Sequence, residues 1–335
     1  MFILSHISHP IKTNDKYIPK IEQLIFPNFA YLFHFKPPFS IFSIYFNMKK
    51  DYILFIDSGI GGLSTLSETY KLFSRNFIYF SDNGHCPYGS RSNAEIFELL
   101  SEIVSKVKKN YDVDVVVLAC NTATTSSISR LRLAFPKIKF IGTEPAIKLA
   151  EKKGCHDITV LCTPLTAKQE KYLHLAQNIS ANLSTIEMPT LASDIESFYT
   201  AKNLCNFSKL LKDIYYVKSK AHGDALVLGC THYVLASKLF KKYIDIPVID
   251  GNFGVAKQVF LTCQSKKLKV FTKNNKFCKL KKPNFEKMVL KSFSCLTKII
   301  TKSEIHFMFS DTKKGLKEKY VKTFMQILAN KSNMC

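Results

Sequence analysis

The chain contains 335 residues, of which 46% are hydrophobic and 22% are charged. This length and composition predict a globular protein of about two domains. The formal net charge is +22, but residues 266–335 alone carry 18 Lys and Arg against 4 Asp and Glu, a net charge of +14. Because this tail contains lysine without clustered arginine, it lacks the bidentate contacts that specify phosphate groups. We therefore expect no nucleic acid as a main partner.

The cysteines and the apolar segments both favour the cytoplasm. The ten cysteines form no CxxC pair and show no Cys/His ligand spacing, which argues against a metal site or a redox pair and fits a reducing compartment. The apolar stretch at 25–46 is interrupted by His34, Lys36, Pro37 and Pro38, so it lacks the run of about 20 residues that a membrane helix needs. We expect a cytoplasmic protein without a metal ion and without membrane contact.

Residues 1–47 differ in character from the rest of the chain. Met48 begins the segment MKKDYILFIDSG, in which a short basic lead precedes an apolar run of strand length. No small-residue cleavage site follows the apolar part of the extension, so a secretory signal peptide is not indicated. We expect residues 1–47 to be an N-terminal extension that is disordered or not translated, with translation beginning at Met48.

From Asp51 onward, short apolar runs alternate with longer amphipathic segments, as in βα units that build a parallel sheet. Most of the runs are rich in β-branched or aromatic residues. The runs are YILFI (52–56), FIYFS (77–81), VDVVVLA (113–119), KFIG (139–142), DITVLC (157–162), DALVLG (224–229) and PVID (247–250). Several are hydrophobic throughout, which is typical of strands covered by helices on both faces. The pattern predicts an α/β protein with parallel sheets of the doubly wound, flavodoxin-like kind.

The loops after the strands show a faint internal repeat. VVVLACNTATTSSISRLR and ALVLGCTHYVLASKLFKK each end a Val/Leu strand with Cys, place Thr within two residues and continue as a helix. We therefore expect two similar α/β domains, residues 48–143 and 144–250, with the segment 251–335 joined to the first and the active site between the two. Residues 264–304 are lysine-rich, and we expect an inserted, solvated and partly disordered stretch there, before a closing strand and helix.

Cys120 and Cys230 are the candidate catalytic pair. Each ends a strand of one half, and ligands of open α/β sheets bind beyond the carboxyl ends of the strands. Inversion of an α-carbon removes a proton from one face and delivers a proton to the other, which a thiolate and a thiol can do together. A single buried cysteine usually only packs, but two in matching contexts favour chemistry. The remaining eight thiols are taken as structural or incidental, among them Cys86, Cys155, Cys205 and Cys335.

Five motifs together resemble those of the glutamate racemase family. They are FIDSGIGGLSTL, DNGHCPYGSRS, LACNTATT, EPA and LVLGCTHY, which occur in the family's order between about Tyr52 and Gly254. The resemblance implies two α/β domains around one active site and the interconversion of L-glutamate and D-glutamate without a cofactor. It also implies a product that feeds peptidoglycan synthesis and, as in many members, a homodimer.

The resemblance further implies a role for each matching residue. Cys120 and Cys230 match the two catalytic thiols. His232 matches the group that assists the second thiol, Glu196 matches a carboxylate near it, and Asp57 supports the first thiol. The positions that match substrate contacts are Asp57, Ser58, Tyr88, Gly89, Asn121, Thr122, Thr163, Thr166, Thr231 and His232.

Several of these residues also have a plainer interpretation. Asp57 can instead cap the next helix, His232 can be a packing histidine, and GIGG suggests a dinucleotide loop although GxGxxG is not completed. Cys162, the pair His85–Cys86 and Ser193 depart from the family pattern, which leaves aspartate or another acidic amino acid open as substrate. The sequence is also compatible with an aspartate or hydantoin racemase, a one-cysteine decarboxylase, and a non-catalytic binding protein that uses the basic tail.

Overall fold

A computed structural model describes residues 51–72, 75–201, 203–271, 304–311 and 315–332 of the chain. Strands and helices alternate in its first part as the sequence predicts. These elements are β1 (Asp51–Asp57), α1 (Leu63–Leu72), β2 (Asn76–Ser81), α2 (Asn93–Asn110), β3 (Asp112–Leu118), α3 (Asn121–Ala134) and β4 (Lys139–Gly142). Two short 3-10 turns, Asn83–His85 and Tyr88–Ser90, connect β2 to α2.

The second part repeats the alternation, and the chain then adds a long helix, a strand and a closing helix. The elements of the second part are α4 (Ile147–Lys152), β5 (Asp157–Cys162), α5 (Pro164–Lys168), α6 (Glu170–Gln177), β6 (Asn182–Glu187), α7 (Leu191–Ala201), α8 (Leu204–Lys220), β7 (Ala225–Leu228), α9 (Thr231–Leu235), α10 (Ser237–Tyr243) and β8 (Val248–Ile249). The final elements are α11 (Asn252–Phe271), β9 (Ile305–Phe309) and α12 (Leu316–Ser332).

Two parallel sheets form the framework. The strand order is β4-β3-β1-β2-β9 in the first sheet and β6-β5-β7-β8 in the second. In the first sheet, Phe55 of β1 is the register partner of Tyr79 in β2 and of Val117 in β3. In the second, Val160 of β5 is paired with Val227 of β7. This architecture confirms the predicted α/β fold with two helix-flanked parallel sheets.

The first sheet is buried on both faces because β1 carries apolar side chains at consecutive positions. Leu54 and Ile56 pack in one cluster with residues of α2 and α3, whereas Ile53 and Phe55 pack in another with residues of α1, α11 and α12. The alternation follows from the two-residue period of a strand. All four side chains are fully buried, and each contributes about 1.5–3 kcal/mol to the hydrophobic stabilisation.

The predicted closing strand and helix are confirmed as elements of the first sheet and its cover. β9 pairs in parallel with β2, and Phe77 is the register partner of Ile305. Tyr320 and Phe324 of α12 are buried in the same cluster as Leu63 and Leu66 of α1. The boundaries of the two domains stay predictions.

One strand did not follow the predicted pattern. β6, with the sequence NLSTIE, lies at an edge of the second sheet and has only one buried side chain, so its sequence lacks the apolar run that marked the other strands. The predictions for residues 1–47 lie outside the described part of the chain. Within the lysine-rich stretch, residues 272–303 also lie outside the described part of the chain, whereas residues 264–271 continue α11. No helix among the described residues has the length and hydropathy needed to cross a membrane.

Candidate active site

Both candidate thiols lie where a strand ends and a helix begins. Cys120 is the N-cap residue of α3, and Cys230 is the N-cap residue of α9. Both residues are buried, with 6% and 8% of their surface exposed. The first N–H groups of a helix have no partner within the helix, so they are available to a bound carboxylate. The structure thus places both thiols at the carboxyl ends of parallel strands, where the sequence predicts a ligand.

Asp57 connects the surroundings of the two thiols. Its Oδ1 accepts a hydrogen bond from the Gly59 N–H at 2.7 Å, and its Oδ2 accepts one from the Thr231 hydroxyl at 3.0 Å. Thr231 directly follows Cys230, and β1, which ends at Asp57, is paired with the strand that precedes Cys120. Because its two hydrogen bonds go to a loop and to α9, Asp57 links the two sheets and does not act as a simple helix cap.

Burial dominates the electrostatics of the Asp57 carboxyl. The side chain is completely buried, and this burial raises its pKa to about 6. The positive charge of His232 and the hydrogen bonds from Gly59 and Thr231 act in the opposite direction. The carboxylate form at neutral pH therefore depends on these compensating groups.

His232 and Glu196 form a hydrogen-bonded pair. The distance between His232 Nε2 and Glu196 Oε2 is 2.7 Å, and the Ile60 N–H donates to the same carboxylate oxygen at 3.0 Å. Burial lowers the pKa of His232, but hydrogen bonding to Cys230 and Glu196, together with the charges of Glu196 and Asp57, raises it well above the ordinary value. These contacts favour the protonated imidazole and distinguish His232 from a histidine that only packs.

A tyrosine of the C-terminal helix completes the support of Glu196. The Tyr320 hydroxyl donates to Glu196 Oε1 at 3.4 Å and lies 2.8 Å from the Ser81 hydroxyl. The Tyr79 hydroxyl donates to the Gly59 carbonyl at 2.7 Å and so fixes the loop after β1. Tyr79, Ser81 and Tyr320 belong to none of the five motifs. For Tyr320, the only indication in the sequence is the prediction that a closing helix joins the first domain.

The GIGG loop passes so close to the His232–Glu196 pair that it requires glycine. A Cβ atom at Gly59 would clash with Glu196 Oε2 and lie 2.9 Å from His232 Nε2. A Cβ atom at Gly61 would lie 2.7 Å from the backbone nitrogen of His232. These glycines serve the close approach of a loop to side chains of the second sheet. The presence of these glycines is therefore explained without a bound dinucleotide.

Three predicted threonines form one cluster of hydroxyls. Thr122 Oγ1 lies 3.2 Å from both Thr163 Oγ1 and Thr166 Oγ1, and the latter two are 3.0 Å apart. Thr163 also caps α5 by accepting from the Thr166 N–H at 3.3 Å. A Cβ atom at Gly89 would lie 3.7 Å from Thr163. The cluster therefore joins the PYG segment, the start of α3 and the start of α5.

The remaining predicted residues are buried nearby. The Tyr88 hydroxyl donates to Asp82 Oδ2 at 2.6 Å, so this hydroxyl is engaged within the protein. Asn121 is the first residue of α3 and is 3% exposed. Ser58 is 4% exposed, and its hydroxyl hydrogen-bonds with the thiol of Cys86. Cys86, interpreted from the sequence as structural or incidental, is thus part of this region.

The Cys120 thiol is held in its protonated form. Burial raises its pKa far above the usual range, and the negative charges of Asp57 and of a Cys230 thiolate raise it further. Two thiols that influence each other in this way cannot easily both ionise. The site therefore disfavours the state in which both sulfurs are ionised.

Comparison with known proteins assigns the chain to a family. No family model matches it. The chain is 36% identical over 231 residues to the glutamate racemase of Clostridium botulinum, covering 66% of this chain and 86% of the relative. It is 35% identical over 218 residues to the glutamate racemase of Aliarcobacter butzleri, covering 63% of this chain and 83% of the relative.

Solved structures share the fold. The Escherichia coli glutamate racemase, solved with L-glutamate and the activator UDP-MurNAc-Ala, superposes with a TM-score of 0.63 at 22% identity, covering 84% of this chain and 96% of that one. The Francisella tularensis glutamate racemase, solved with D-glutamate, gives a TM-score of 0.60 at 21% identity, covering 84% and 95%. With the sequence relatives above, these findings show that the chain belongs to the glutamate racemase family of isomerases.

Proposed function

We propose that the protein interconverts L-glutamate and D-glutamate by a cofactor-independent mechanism in which Cys120 and Cys230 are the two acid/base groups. The observation that carries this proposal is the bond between Thr231 and Asp57. This bond joins Thr231, which follows Cys230, to Asp57, which ends the strand paired with the one that precedes Cys120. Two thiols that face one ligand from different sheets are the arrangement that inversion of a carbon centre requires.

The surroundings of the thiols suggest which of them starts as the acid. Cys120 is held protonated by burial and by the charge of Asp57, so it can deliver a proton to the α-carbon. Cys230 is hydrogen-bonded to His232, so in the proposed mechanism it acts as the base with His232 beside it. In one direction Cys230 removes the α-proton and Cys120 supplies the new one, and in the other direction the roles reverse.

The substrate's polar groups would be held at the helix starts and by the threonine hydroxyls. Thr122, Thr163 and Thr166 present three hydroxyls within 3.2 Å of one another, and the N–H groups that begin α3 and α9 are also free of helix partners. Hydroxyls and N–H groups are the donors that carboxylates prefer. Ser58, Asn121 and the backbone of Tyr88–Gly89 complete this proposed binding surface.

Isotope exchange tests the reaction. The purified protein is incubated with L-glutamate in D₂O without added cofactor, and the optical rotation and the α-proton signal are followed together. A two-thiol mechanism predicts loss of rotation with deuterium entering the product from solvent. Absence of exchange with L-glutamate would overturn the assignment of substrate, and exchange with L-aspartate alone would favour an aspartate racemase.

Cysteine variants test the two acid/base groups. Cys120→Ser and Cys230→Ser should each abolish racemisation or reduce kcat by at least about 100-fold, the low end of what a positioned acid or base contributes. Cys263→Ser is the matched control, because Cys263 is a buried thiol of α11 outside the proposed machinery. Full activity in either of the first two variants would remove that thiol from the mechanism.

The cellular role proposed for the product is a supply of D-glutamate for peptidoglycan. It can be tested in a bacterial strain that cannot make D-glutamate. Expression of the intact chain should allow growth without added D-glutamate, whereas the Cys120→Ser variant should not. Failure of the active protein to support growth would contradict this role while leaving the reaction itself in place.

A further inference from the structure

A third thiol lies beside the His232–Glu196 pair. One ligand atom from each of Cys86, Glu196 and His232 lies within 4.8 Å of the other two. Cys86 follows the turn Asn83–His85, Glu196 belongs to α7 and His232 to α9, so three separate segments converge here. Neither the motif assignment nor the two-thiol mechanism uses Cys86.

The three donors match the coordination chemistry of zinc. Zinc accepts thiolate sulfur at about 2.3 Å, and imidazole nitrogen and carboxylate oxygen at about 2.0–2.1 Å, in a tetrahedral arrangement. In such a site the donor atoms are about 3.3–3.5 Å apart, so the three groups would need to move by only about 1 Å. His232 and Glu196 already meet at 2.7 Å.

The position also has the outer contacts that a metal site requires. Ile60 donates its N–H to Glu196 Oε2, and Tyr320 donates its hydroxyl to Oε1. Ser58 hydrogen-bonds with Cys86. Groups of this kind orient the ligands of a metal ion and increase its affinity.

We propose that Cys86, Glu196 and His232 form a zinc-binding site that inhibits the enzyme. Three protein ligands leave a fourth position of the tetrahedron for water. Binding releases to solvent the thiol proton of Cys86 and the imidazole proton that His232 shares with Glu196, so that Nε2 can bind the metal. A zinc ion would therefore occupy His232 and Glu196, the pair that stands beside Cys230 in the proposed mechanism. The effect on catalysis rests on the proposed function, whereas metal binding does not.

Direct binding tests the site without reference to activity. Zinc chloride is titrated into the metal-free full-length protein by calorimetry, and cobalt(II) is added in parallel to detect sulfur-to-cobalt charge-transfer absorption. To exclude binding by the catalytic thiols, the same titrations use the double variant Cys120→Ser/Cys230→Ser. We expect one zinc ion per chain in both proteins and a cobalt–thiolate band that persists in the double variant.

The variant Cys86→Ala should weaken zinc binding by more than tenfold in either background, since even outer contacts of a metal typically change affinity by about 10–100-fold. Cys205→Ala, which removes an exposed thiol of α8, is the matched control and should bind zinc unchanged. Unchanged affinity in Cys86→Ala, no binding by the unaltered protein, or loss of the site in the double variant would each overturn the proposal.

The inhibitory effect is measured separately. Racemisation without zinc should be the same in the unaltered protein and in Cys86→Ala, and micromolar zinc should reduce it only in the former, reversibly on addition of a chelator. Zinc that binds at Cys86 but leaves racemisation unchanged would overturn the inhibitory role. A protein that binds zinc at this site but does not racemise glutamate would instead contradict the proposed function alone.

Discussion

The buried carboxyl of Asp57 should make the stability of the protein depend on pH in an unusual direction. Its pKa is raised from 3.8 to about 6 in the folded state, so the folded protein binds this proton more tightly than the unfolded chain. The contribution to stability is therefore fully present below about pH 4 and is lost as pH rises through about 6. Most exposed or paired carboxyls act in the opposite sense.

The magnitude follows from the two pKa values. At 1.36 kcal/mol per pH unit, the complete loss is roughly 3 kcal/mol, of which roughly 2 kcal/mol falls between about pH 4.5 and about pH 7.5. Asp57→Asn removes the titration but keeps a similar shape and one acceptor for the Gly59 N–H. The difference in unfolding free energy, variant minus unaltered protein, should therefore rise by roughly 2 kcal/mol over that range.

Urea unfolding of both proteins at a series of pH values measures this difference, because titrating groups that do not interact with Asp57 cancel. Asp224→Asn is a control of opposite sign. Asp224 accepts hydrogen bonds from the N–H groups of His156 and Asp157, which lower its pKa, so its stabilisation is lost as pH falls through the folded pKa. Stability curves of Asp57→Asn and the unaltered protein that run parallel across the range would refute the reasoning.

Three further substitutions and one control probe the loop and the carboxylate that it contacts. Gly59→Ala should lower activity strongly, since its Cβ would meet Glu196 and His232. Gly254→Ala in α11, whose Cβ would meet nothing within 4 Å, is the control and should leave activity unchanged and add up to about 1 kcal/mol of stability. Equal effects of the two substitutions on activity and on stability would contradict this. Glu196→Gln should lower the pKa of His232, followed by NMR titration of the imidazole; an unchanged pKa would remove Glu196 as a cause. Tyr320→Phe should cost about 1 kcal/mol in urea unfolding, and no loss would show that its hydroxyl bonds are not stabilising.

The strands were predictable because the two sheets are covered on both faces. A strand such as β3 is apolar at most of its positions, which produces the run VDVVVLA. β6 was not predictable for the same reason. As an edge strand with one buried side chain, it needs no apolar run, and only its pairing with β5 makes it a strand.

The candidate thiols were predictable because the repeat places a cysteine at the same point of both halves. Their supporting residues were predicted where a motif carried them, as for Asp57 and His232, or where the family resemblance gave a matching position, as for Glu196. Tyr320 contacts Glu196 across 124 residues of sequence, and Cys86 meets the same carboxylate from another loop. Contacts of this kind depend on how helices pack against a sheet, and no local pattern encodes them.

The repeat provides the two cysteines of this site, whereas residues that do not recur provide their different surroundings. Strand, cysteine and helix recur in both halves, and in the proposed mechanism this repeat supplies the two thiols for a reaction that must run in both directions. The surrounding charges do not recur: burial and the charge of Asp57 raise the pKa of Cys120, whereas His232, paired with Glu196, accompanies Cys230. Two coupled thiols in identical surroundings would still ionise one at a time, because the first thiolate opposes the second, but neither would be preferred. Under the proposed two-thiol mechanism, the unequal surroundings, to which residues outside the repeat such as Glu196 and Tyr320 contribute, distinguish the two thiols from each other.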